Sequence, residues 1–380
     1  MLNSKKITFL SRHYPPNPNI NGESIWDMVK FIKEKYSIYS NILCINRSFL
    51  GGGSRREPEG NVIRLKTIYQ GDNPLLRFFS FLYDGFILTK RAFKFSNSLI
   101  ICTTSPPLLP FWATLKFKGK IKWALWAFDL FPEGFAVTGT VSEKNIIYQW
   151  VKKITYKRAP SFLITLGPKQ AQYLCNKYKK EIPTLILPCG VLFYQDRSEE
   201  NPSWWEEDKI FVGYCGNLNN AHNPEFVKAV IENIDYKQHR LILALYGVYA
   251  QEVKEYAKGK AGVYIVDNVP RNQLHFIDIH LVSLRKEWTH IAVPSKAVSA
   301  VCSGSAFLFC GSRESDNWYM LQKAGWHIDE NYKISQQVNS FLKAINREEI
   351  SKKKESASLL YKELKEMVTK VYSEISEFVK

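Results

Sequence analysis

The chain contains, at residues 210–220, the stretch IFVGYCGNLNN, in which a short apolar run leads directly into a glycine and asparagine turn. An apolar run of this length predicts a buried strand, and the glycine after it predicts a tight turn. A helical pattern follows at residues 224–231, and the next strand-like run is at residues 241–246. This order of strand, turn, helix and strand is typical of a parallel α/β sheet.

The same alternation extends along both halves of the 380-residue chain. Strand-like runs occur at residues 7–10, 41–45, 99–102, 122–128, 161–166, 184–187, 210–215, 241–246, 262–266, 278–283 and 306–310. Two successive alternations predict an α/β fold of two Rossmann-like, doubly wound domains that face a central cleft. We place the N-terminal domain at 1–194, a polar linker at 195–208, the second domain at 209–355 and a C-terminal helix at 356–380.

The composition is that of a folded protein of the cytoplasm. Hydrophobic residues make up 45% and charged residues 23% of the chain, which excludes disorder. The seven cysteines form no CxxC pair, so they favour a reducing compartment over a disulfide framework or a zinc site. The beginning of the chain does not resemble a signal peptide. The longest apolar segment, residues 74–88, is interrupted by Arg77 and Asp84 and predicts no membrane span.

The positive charge is concentrated in the first half of the chain. Residues 1–190 hold 28 Lys and Arg against 11 Asp and Glu, a net of +17, whereas the remaining residues hold 24 against 25, a net of −1. This asymmetry predicts an anionic partner that touches the first half only. Motifs of nucleic-acid-binding modules are not visible, so we do not expect a nucleic-acid partner.

Residues 75–95 interleave basic side chains with bulky apolar ones. One interpretation is an amphipathic stretch that lies on the inner, anionic face of the cell membrane. The other is a buried crossover helix whose lysines and arginines only solvate its outer surface. The sequence leaves both interpretations open.

Open parallel sheets bind ligands beyond the carboxyl ends of their strands, so polar residues at those ends are candidates for a site. In the first half these are His13, after the first strand, and Asp129, after an apolar run, with Glu133 four residues later. A carboxylate at position 129 requires exposure or a partner, because burying an unpaired charge is costly. Single His and Asp residues are more often structural, and only their position at strand ends makes them candidates.

In the second half, Gly216 and Asn217 follow a strand directly. Glycine allows the backbone to approach a ligand, and N–H groups of such a turn can point at phosphate, although a Gly-Asn sequence more often forms only a turn. The chain lacks both the GxGxxG spacing and the Walker loop. Nicotinamide cofactors and P-loop hydrolysis are therefore disfavoured.

The segment 285–296 combines a basic pair with a predicted helix start. Ser295 is expected to cap the helix at residues 297–302, and Gly304 is expected to end it. Lys296 lies in the first turn, where a cation opposes the helix dipole. A diphosphate at that N-terminus would offset this charge and attract Arg285 as well, whereas the alternative is that Lys296 points to water.

Short segments across nearly the whole length occur in the order found in one family. They are Tyr14-Pro15-Pro16, Asn21-Gly22, Thr104-Ser105-Pro106-Pro107, Asp129-Leu130-Phe131-Pro132-Glu133, Leu187-Pro188-Cys189-Gly190-Val191, Gly213-Tyr214-Cys215-Gly216-Asn217-Leu218, Pro294-Ser295-Lys296, Gly304 and Ala324-Gly325. In these segments the chain resembles GT-B glycosyltransferases of the family-four type, in the branch that builds bacterial surface polysaccharides such as colanic acid and O-antigen.

The resemblance implies that a nucleotide sugar binds mainly to the second domain and the acceptor to the first, and that the last helix crosses back to the first domain. It implies donor binding by Asn21, Gly22, Gly216, Asn217, Pro294 and Ser295. We add Ser299, which stands at a position of the family's acid pair, and Glu314 as further donor-site candidates. The resemblance assigns catalysis to Arg285 and Lys296, which would counter the diphosphate charge, and to His13 and Asp129 on the acceptor side.

The chain departs from the family at the donor site. The positions of the family's Glu-x7-Glu pair hold Ile291 and Ser299, and the Arg and Lys that follow the Gly216 strand are replaced by Asn217 and His222. Glu314, after a later strand, is a candidate substitute for the missing acid.

Two functions are therefore expected as alternatives. The first is transfer of a sugar, with UDP-sugars favoured, to a lipid-linked saccharide; this transfer would be retaining and would use no metal or other cofactor. The second is a catalytically silent GT-B binding or scaffold protein.

Overall fold

The computed structural model describes residues 6–47, 56–71, 73–191, 193 and 197–379. It divides into two compact units, the first of Met1–Cys189 with Met367–Lys380 and the second of Gly190–Glu366. Each unit contains one parallel sheet with helices between its strands.

The described part of the first unit has a seven-stranded parallel sheet of order β3-β2-β1-β4-β5-β6-β7. Its strands are β1 (Lys6–Leu10), β2 (Tyr39–Asn46), β3 (Asn61–Lys66), β4 (Leu99–Thr103), β5 (Trp123–Trp126), β6 (Leu163–Thr165) and β7 (Thr184–Ile186). Its helices are α1 (Ile20–Tyr36), α2 (Pro74–Ala92), α3 (Leu109–Phe117), α4 (Glu133–Val137), α5 (Ile146–Thr155) and α6 (Pro168–Tyr178), with a 3-10 turn at Phe93–Phe95. The strand order reverses between β1 and β4.

The second unit has, among its described residues, a six-stranded parallel sheet of order β10-β9-β8-β11-β12-β13. Its strands are β8 (Ile210–Asn217), β9 (His239–Tyr246), β10 (Val263–Ile265), β11 (Ile279–Leu284), β12 (Ala306–Gly311) and β13 (Gly325–Ile328). Its helices are α7 (Pro224–Asn233), α8 (Ala250–Ala257), α9 (Ser295–Cys302), α10 (Asp316–Leu321), α11 (Ile334–Ala344) and the first part of α12 (Arg347–Glu377), which belongs to the first unit from Met367 onward. The 3-10 turns of this unit are at Arg271–Phe276, Lys286–Trp288 and Gln322–Ala324. Here the order reverses between β8 and β11.

Asparagine side chains fix where several helices begin. Asn19, Asn73, Asn145 and Asn223 each accept two backbone N–H groups from the first turns of α1, α2, α5 and α7. Such caps satisfy donors that have no partner inside the helix. In α2 and α7 a proline follows the cap, at the position where its missing N–H has no consequence.

The central strands are buried on both faces. All six residues of β11 and all six of β12 are buried, as a parallel sheet covered by helices requires. Within the first unit, the end of α12 packs on α1, where the rings of Phe31 and Tyr372 lie 5.2 Å apart and Tyr36 Oη donates to Ser373 Oγ at 2.7 Å. The predicted fold class of two Rossmann-like sheets with a long C-terminal helix is confirmed.

None of the helices in the described ranges is both long and apolar enough to cross a membrane.

Candidate functional site

In the second unit, the switch point is the place between β8 and β11 where the strand order reverses. These two strands separate towards their carboxyl ends. β8 pairs with β11 only at Val212–Gly213 with Ile279–His280, although both strands continue for several residues beyond this pairing. The loops that follow Asn217 and Leu284 leave the sheet on either side of this divergence. This is the position at which open α/β sheets bind ligands.

His222 lies between the two cations that the sequence singles out. Its Nδ1 is 2.7 Å from the carbonyl oxygen of Ser283, so Nδ1 carries the proton and donates. Nε2 is therefore the acceptor for Lys296 Nζ, at 3.0 Å. The backbone carbonyl of His222 accepts a hydrogen bond from Arg285 Nε at 2.9 Å. One residue thus orients both basic side chains.

The His222 ring stays neutral. Burial lowers its pKa well below 6.5, and the positive charge of Lys296 lowers it further. A neutral imidazole accepts a hydrogen bond from the ammonium of Lys296 without cancelling its charge.

Lys296 is half-buried, so the alternative that it only points to water does not describe it. Its Nζ lies 5.1 Å from the ring centroid of Tyr214, within range of a cation–π contact. Gly216 borders the same side chain: it has φ +124°, and a Cβ there would stand 3.2 Å from Lys296 Cε. Glycine therefore allows the lysine to pass close to the end of β8.

The predicted cap of α9 is wrong. The helix begins at Ser295, Pro294 is the N-cap residue, and the cap carries no side-chain hydrogen bond. Ser295 is already helical, so its hydroxyl is not in the capping position. The carbonyl oxygen of Pro294 instead accepts Asn317 Nδ2 at 2.8 Å. The helix ends at Cys302, two residues before Gly304 with φ +80°, in agreement with the expected stop.

Asn217 ends β8 with a buried polar atom facing Gly247. Asn217 Oδ1 is buried and, among the described residues, has no hydrogen-bond partner. Gly247 has φ +105°, and a Cβ at this position would overlap Asn217 Oδ1. The guanidinium carbon of Arg285 lies 5.8 Å from the ring of Tyr249, two residues further along. An acceptor such as Asn217 Oδ1 suits a hydroxyl or N–H donor of a ligand.

Neither position of the family's acid pair presents a carboxylate. Ser299 Oγ donates to the carbonyl oxygen of Gly190 at 3.0 Å, and Ile291 is buried. Glu314 is exposed in the turn after β12, where its own N–H is bound by Ser312 Oγ at 3.1 Å.

Glu330, which the sequence analysis did not select, is a carboxylate close to Arg285. It lies just after β13, and burial raises its pKa to about 7, with a further rise from Glu287. The N–H of Lys286 and the charge of Arg285 oppose this rise. Its Oε1 is buried without a hydrogen-bond partner in the described structure. Glu330 is therefore a partly buried carboxylate that interacts with Arg285, whereas Glu314 is exposed.

The raised pKa of Glu330 gives a signed prediction for stability. The ionised carboxylate is disfavoured in the folded state, so the folded protein loses stability as the pH rises from about 4.5 to about 7. We expect Glu330→Gln to be more stable than the parent by about 1–2 kcal/mol at pH 8, after allowance for solvent screening, and equal to it near pH 4. Denaturant titrations at both pH values measure this. The matched control, Glu314→Gln at an exposed carboxylate, should show no such gain, and a pH-independent difference for Glu330→Gln would contradict the assignment.

In the first unit, His13 is buried at the end of β1. Burial lowers its pKa to about 3, and the charges of Arg12 and Arg47 act in the same direction. A Cβ on Gly22 would stand 3.0 Å from Tyr14 Cα and 3.1 Å from the His13 carbonyl oxygen. The absence of a side chain at Gly22 therefore lets the start of α1 pack against the backbone of His13.

Asn21 and Gly22 both lie in the first turn of α1, where their N–H groups are bound by Asn19 Oδ1 at 3.0 and 3.4 Å. The structure thus brings His13, Asn21 and Gly22 together.

Hydrogen bonds join the loops that carry His13 and Asp129. The N–H of Arg12 donates to the carbonyl oxygen of Ser105 at 2.7 Å, and the N–H of Phe128 donates to Thr104 Oγ1 at 3.0 Å. Asp129 follows directly and is exposed, which meets the requirement for a carboxylate after an apolar run. His13 and Asp129 therefore belong to neighbouring loops at one edge of the sheet.

Glu133 has a different environment. It is buried, and its Oε2 accepts the hydroxyl of Tyr156 at 2.9 Å. Burial raises its pKa, which the bond from Tyr156 opposes. These contacts make Glu133 part of the packing of α4 rather than of the exposed loop.

The chain is similar to known proteins in its fold. No protein-family model matches the sequence, and no curated protein sequence matches it. Solved structures match over nearly the full length of both chains. Sucrose-phosphate synthase from Thermosynechococcus elongatus is similar with a TM-score of 0.69 and 14% identity, covering 98% of each chain. WaaG, a glycosyltransferase involved in lipopolysaccharide biosynthesis, has a TM-score of 0.68 and 12% identity, covering 98% of this chain and 99% of its own.

A third similar structure is the trehalose-6-phosphate protein from E. coli bound with UDP-2-fluoro glucose, with a TM-score of 0.68, 8% identity and 98% coverage of both chains. These matches define the fold as the GT-B fold of glycosyltransferases.

Proposed function

We propose that this chain is a glycosyltransferase that moves a sugar from a nucleoside diphosphate sugar, with UDP-sugars favoured, to a saccharide acceptor carried on a lipid. The observation that carries the proposal is the arrangement at His222, which holds Arg285 and Lys296 at the switch point of the second sheet. In a GT-B fold, two oriented cations at this position suit the diphosphate of a nucleotide sugar.

The proposed chemistry is stabilisation of a leaving group. Cleavage of the sugar–phosphate bond leaves growing negative charge on the nucleoside diphosphate, and fixed positive groups stabilise that charge. Lys296, Arg285 and the N-terminus of α9 supply them, so we propose a transfer that needs no metal. Following the family resemblance, the acceptor approaches on the side of the leaving group and the anomeric configuration is retained.

On the acceptor side, we propose hydrogen bonding rather than strong base catalysis at His13. An imidazole with a pKa of about 3 is neutral at physiological pH and is a weak base. It orients an acceptor hydroxyl, while the exposed carboxylate of Asp129 accepts a hydrogen bond from the acceptor or the sugar.

A second candidate function is a GT-B protein that binds nucleotide sugar without turnover. It is favoured by the buried Ile291 and by the bond of Ser299 to Gly190, which leave no acid at these two positions to hold the donor ribose. Glu330 is the residue that would provide the acid if the chain is active.

Nucleotide binding separates these possibilities. We expect UDP or GDP at saturating concentration to raise the melting temperature by several degrees, because a ligand that binds only the folded state stabilises it. Release of nucleoside diphosphate from the matching sugar donor, with an acceptor present, would support the transferase. Binding without any release would support the silent protein, and no thermal shift with any nucleotide would contradict the donor site itself.

A further inference from the structure

The loop that follows β8 is bonded to the end of β11, although the two strands are no longer paired there. The strand pairing reaches only as far as Gly213 and His280. Further along, hydrogen bonds connect residues 221–223 with residues 283–285. The N–H of Arg285 donates to the carbonyl oxygen of Ala221 at 2.8 Å and Arg285 Nε to that of His222 at 2.9 Å, while the N–H of Asn223 donates to Ser283 Oγ at 3.0 Å and His222 Nδ1 to the carbonyl oxygen of Ser283 at 2.7 Å. The loop is therefore held in one position relative to β11.

Ser283 determines which nitrogen of the His222 ring carries the proton. Its carbonyl oxygen can only accept, so Nδ1 is the donor and Nε2 of the neutral ring is left as an acceptor. The opposite tautomer would place an N–H against the ammonium of Lys296, and two donors cannot bond to each other. Burial lowers the pKa of His222 well below 6.5, and the charge of Lys296 adds to this, so the ring takes up no second proton near neutral pH. A backbone group of a fully buried strand thus controls the tautomer.

Both cations of the candidate donor site are positioned by β11. Arg285 follows this strand directly in the chain. Lys296 lies in the first turn of α9, a helix whose N-cap residue makes no side-chain hydrogen bond, and a lysine stem is long and flexible. The ammonium is connected to β11 by hydrogen bonds from Lys296 to His222 Nε2, at 3.0 Å, and from His222 to Ser283. We call this connection the relay. The spacing between the two cations therefore depends on one strand.

We propose that His222 and Ser283 are positioning residues for the transfer proposed above, on which this role rests. They hold the ammonium of Lys296 at a fixed spacing from Arg285, ready for the diphosphate of a nucleotide sugar. Groups that are oriented before the reaction need no reorganisation when negative charge develops on the leaving group. A neutral histidine suits this task, because an acid at position 222 would cancel the charge of Lys296 and a further cation would repel it.

Affinity for a nucleoside diphosphate, measured by calorimetric titration, tests the role of the ring. His222→Phe keeps a flat ring of similar size but loses both hydrogen bonds, so we expect the affinity for UDP or GDP, whichever the parent binds, to fall about tenfold. His222→Gln should recover most of the loss, because its amide offers an N–H to Ser283 and an oxygen to Lys296. In a turnover assay, His222→Phe should lower kcat more than it raises the KM for the donor, since the charge that Lys296 stabilises grows towards the transition state.

A double-mutant cycle distinguishes positioning from a general structural role. If His222 acts through Lys296, His222→Phe should change nucleotide affinity by no more than about twofold in the Lys296→Gln background. A purely structural role would give the same loss in both backgrounds. His280→Phe is the matched control, because His280 is a buried histidine of β11 whose Nε2 is 3.0 Å from the carbonyl oxygen of Leu274. This control should leave nucleotide affinity unchanged even if it lowers the melting temperature.

NMR of nitrogen-labelled histidine rings tests the relay without any nucleotide. We expect His222 to carry its proton on Nδ1 at neutral pH, both in the parent and in Lys296→Gln. A proton on Nε2 would overturn the inference whether or not nucleotides bind. Equal affinity of His222→Phe and the parent, or the same loss in the Lys296→Gln background, would overturn it while the donor site stands. A parent that binds no nucleoside diphosphate would instead refute the donor site and, with it, the positioning role.

Discussion

Replacing Lys296 by alanine is expected to lower the rate of sugar transfer by about 10²–10³-fold, the usual effect of removing a group that stabilises charge in the transition state. The ammonium is held by the His222 ring at 3.0 Å and lies over the ring of Tyr214, and neither neighbour carries a negative charge that would cancel it. Initial rates with a nucleotide-sugar donor measure the effect. If turnover is absent in the parent, the readout is the affinity for the nucleoside diphosphate, which should fall about tenfold or more.

Two further variants separate charge from structure. Lys296→Gln keeps a donor for His222 Nε2 but removes the charge, so we expect it to be nearly as slow as the alanine variant while melting like the parent. Lys286→Ala removes an exposed lysine next to Arg285 and should retain activity. The expected loss of rate depends on the charge that Lys296 places at the site and not on the net charge of the protein. If charge reversal at both Arg285 and Lys296 left turnover intact, this result would contradict the assignment of the donor site.

The parts of the fold that the sequence predicted are the fully buried strands. Runs such as residues 306–310 are apolar throughout because both faces of the parallel sheet are covered. Such runs can be recognised as strands in a single sequence, without an alignment of related sequences. Two strands, β3 and β13, were not predicted, each for a different reason. β3 is a half-exposed edge strand in which Arg64 and Lys66 alternate with apolar residues, and β13 has four residues and begins with glycine.

The candidate site was predictable only in part. Arg285 and Lys296 could be selected because they flank a strand end and a helix start. The role of His222 could not, because it depends on contacts with residues 63 and 74 positions away. Glu330 was missed with β13, since a residue after an unrecognised strand is not seen as a strand-end residue. The error at Ser295 is a shift of one residue at a helix start, where sequence patterns are least certain.

Replacing Arg12 by methionine is expected to destabilise the protein by about 3–5 kcal/mol near neutral pH, because it leaves a buried carboxylate without its partner. Arg12 Nε donates to Asp84 Oδ2 at 3.1 Å, and both residues are almost completely buried. Burial lowers the pKa of Arg12 to about 10 and raises that of Asp84, so desolvation disfavours the charged form of both groups and their mutual attraction offsets it only in part. Denaturant unfolding measures the change. The loss should shrink towards pH 4, because a carboxyl with a raised folded-state pKa destabilises only when it ionises.

The double variant Arg12→Met with Asp84→Leu is the control for this prediction. Replacing both members of a buried ion pair by apolar residues is often neutral, so the double variant should recover most of the lost stability and lose its dependence on pH. Equal destabilisation of single and double variants would show that packing of the Arg12 stem on Phe81, 4.3 Å from its guanidinium carbon, matters more than the charge. The pair also joins two elements of the first unit. It ties Arg12, the residue before His13, to Asp84 on the buried side of α2.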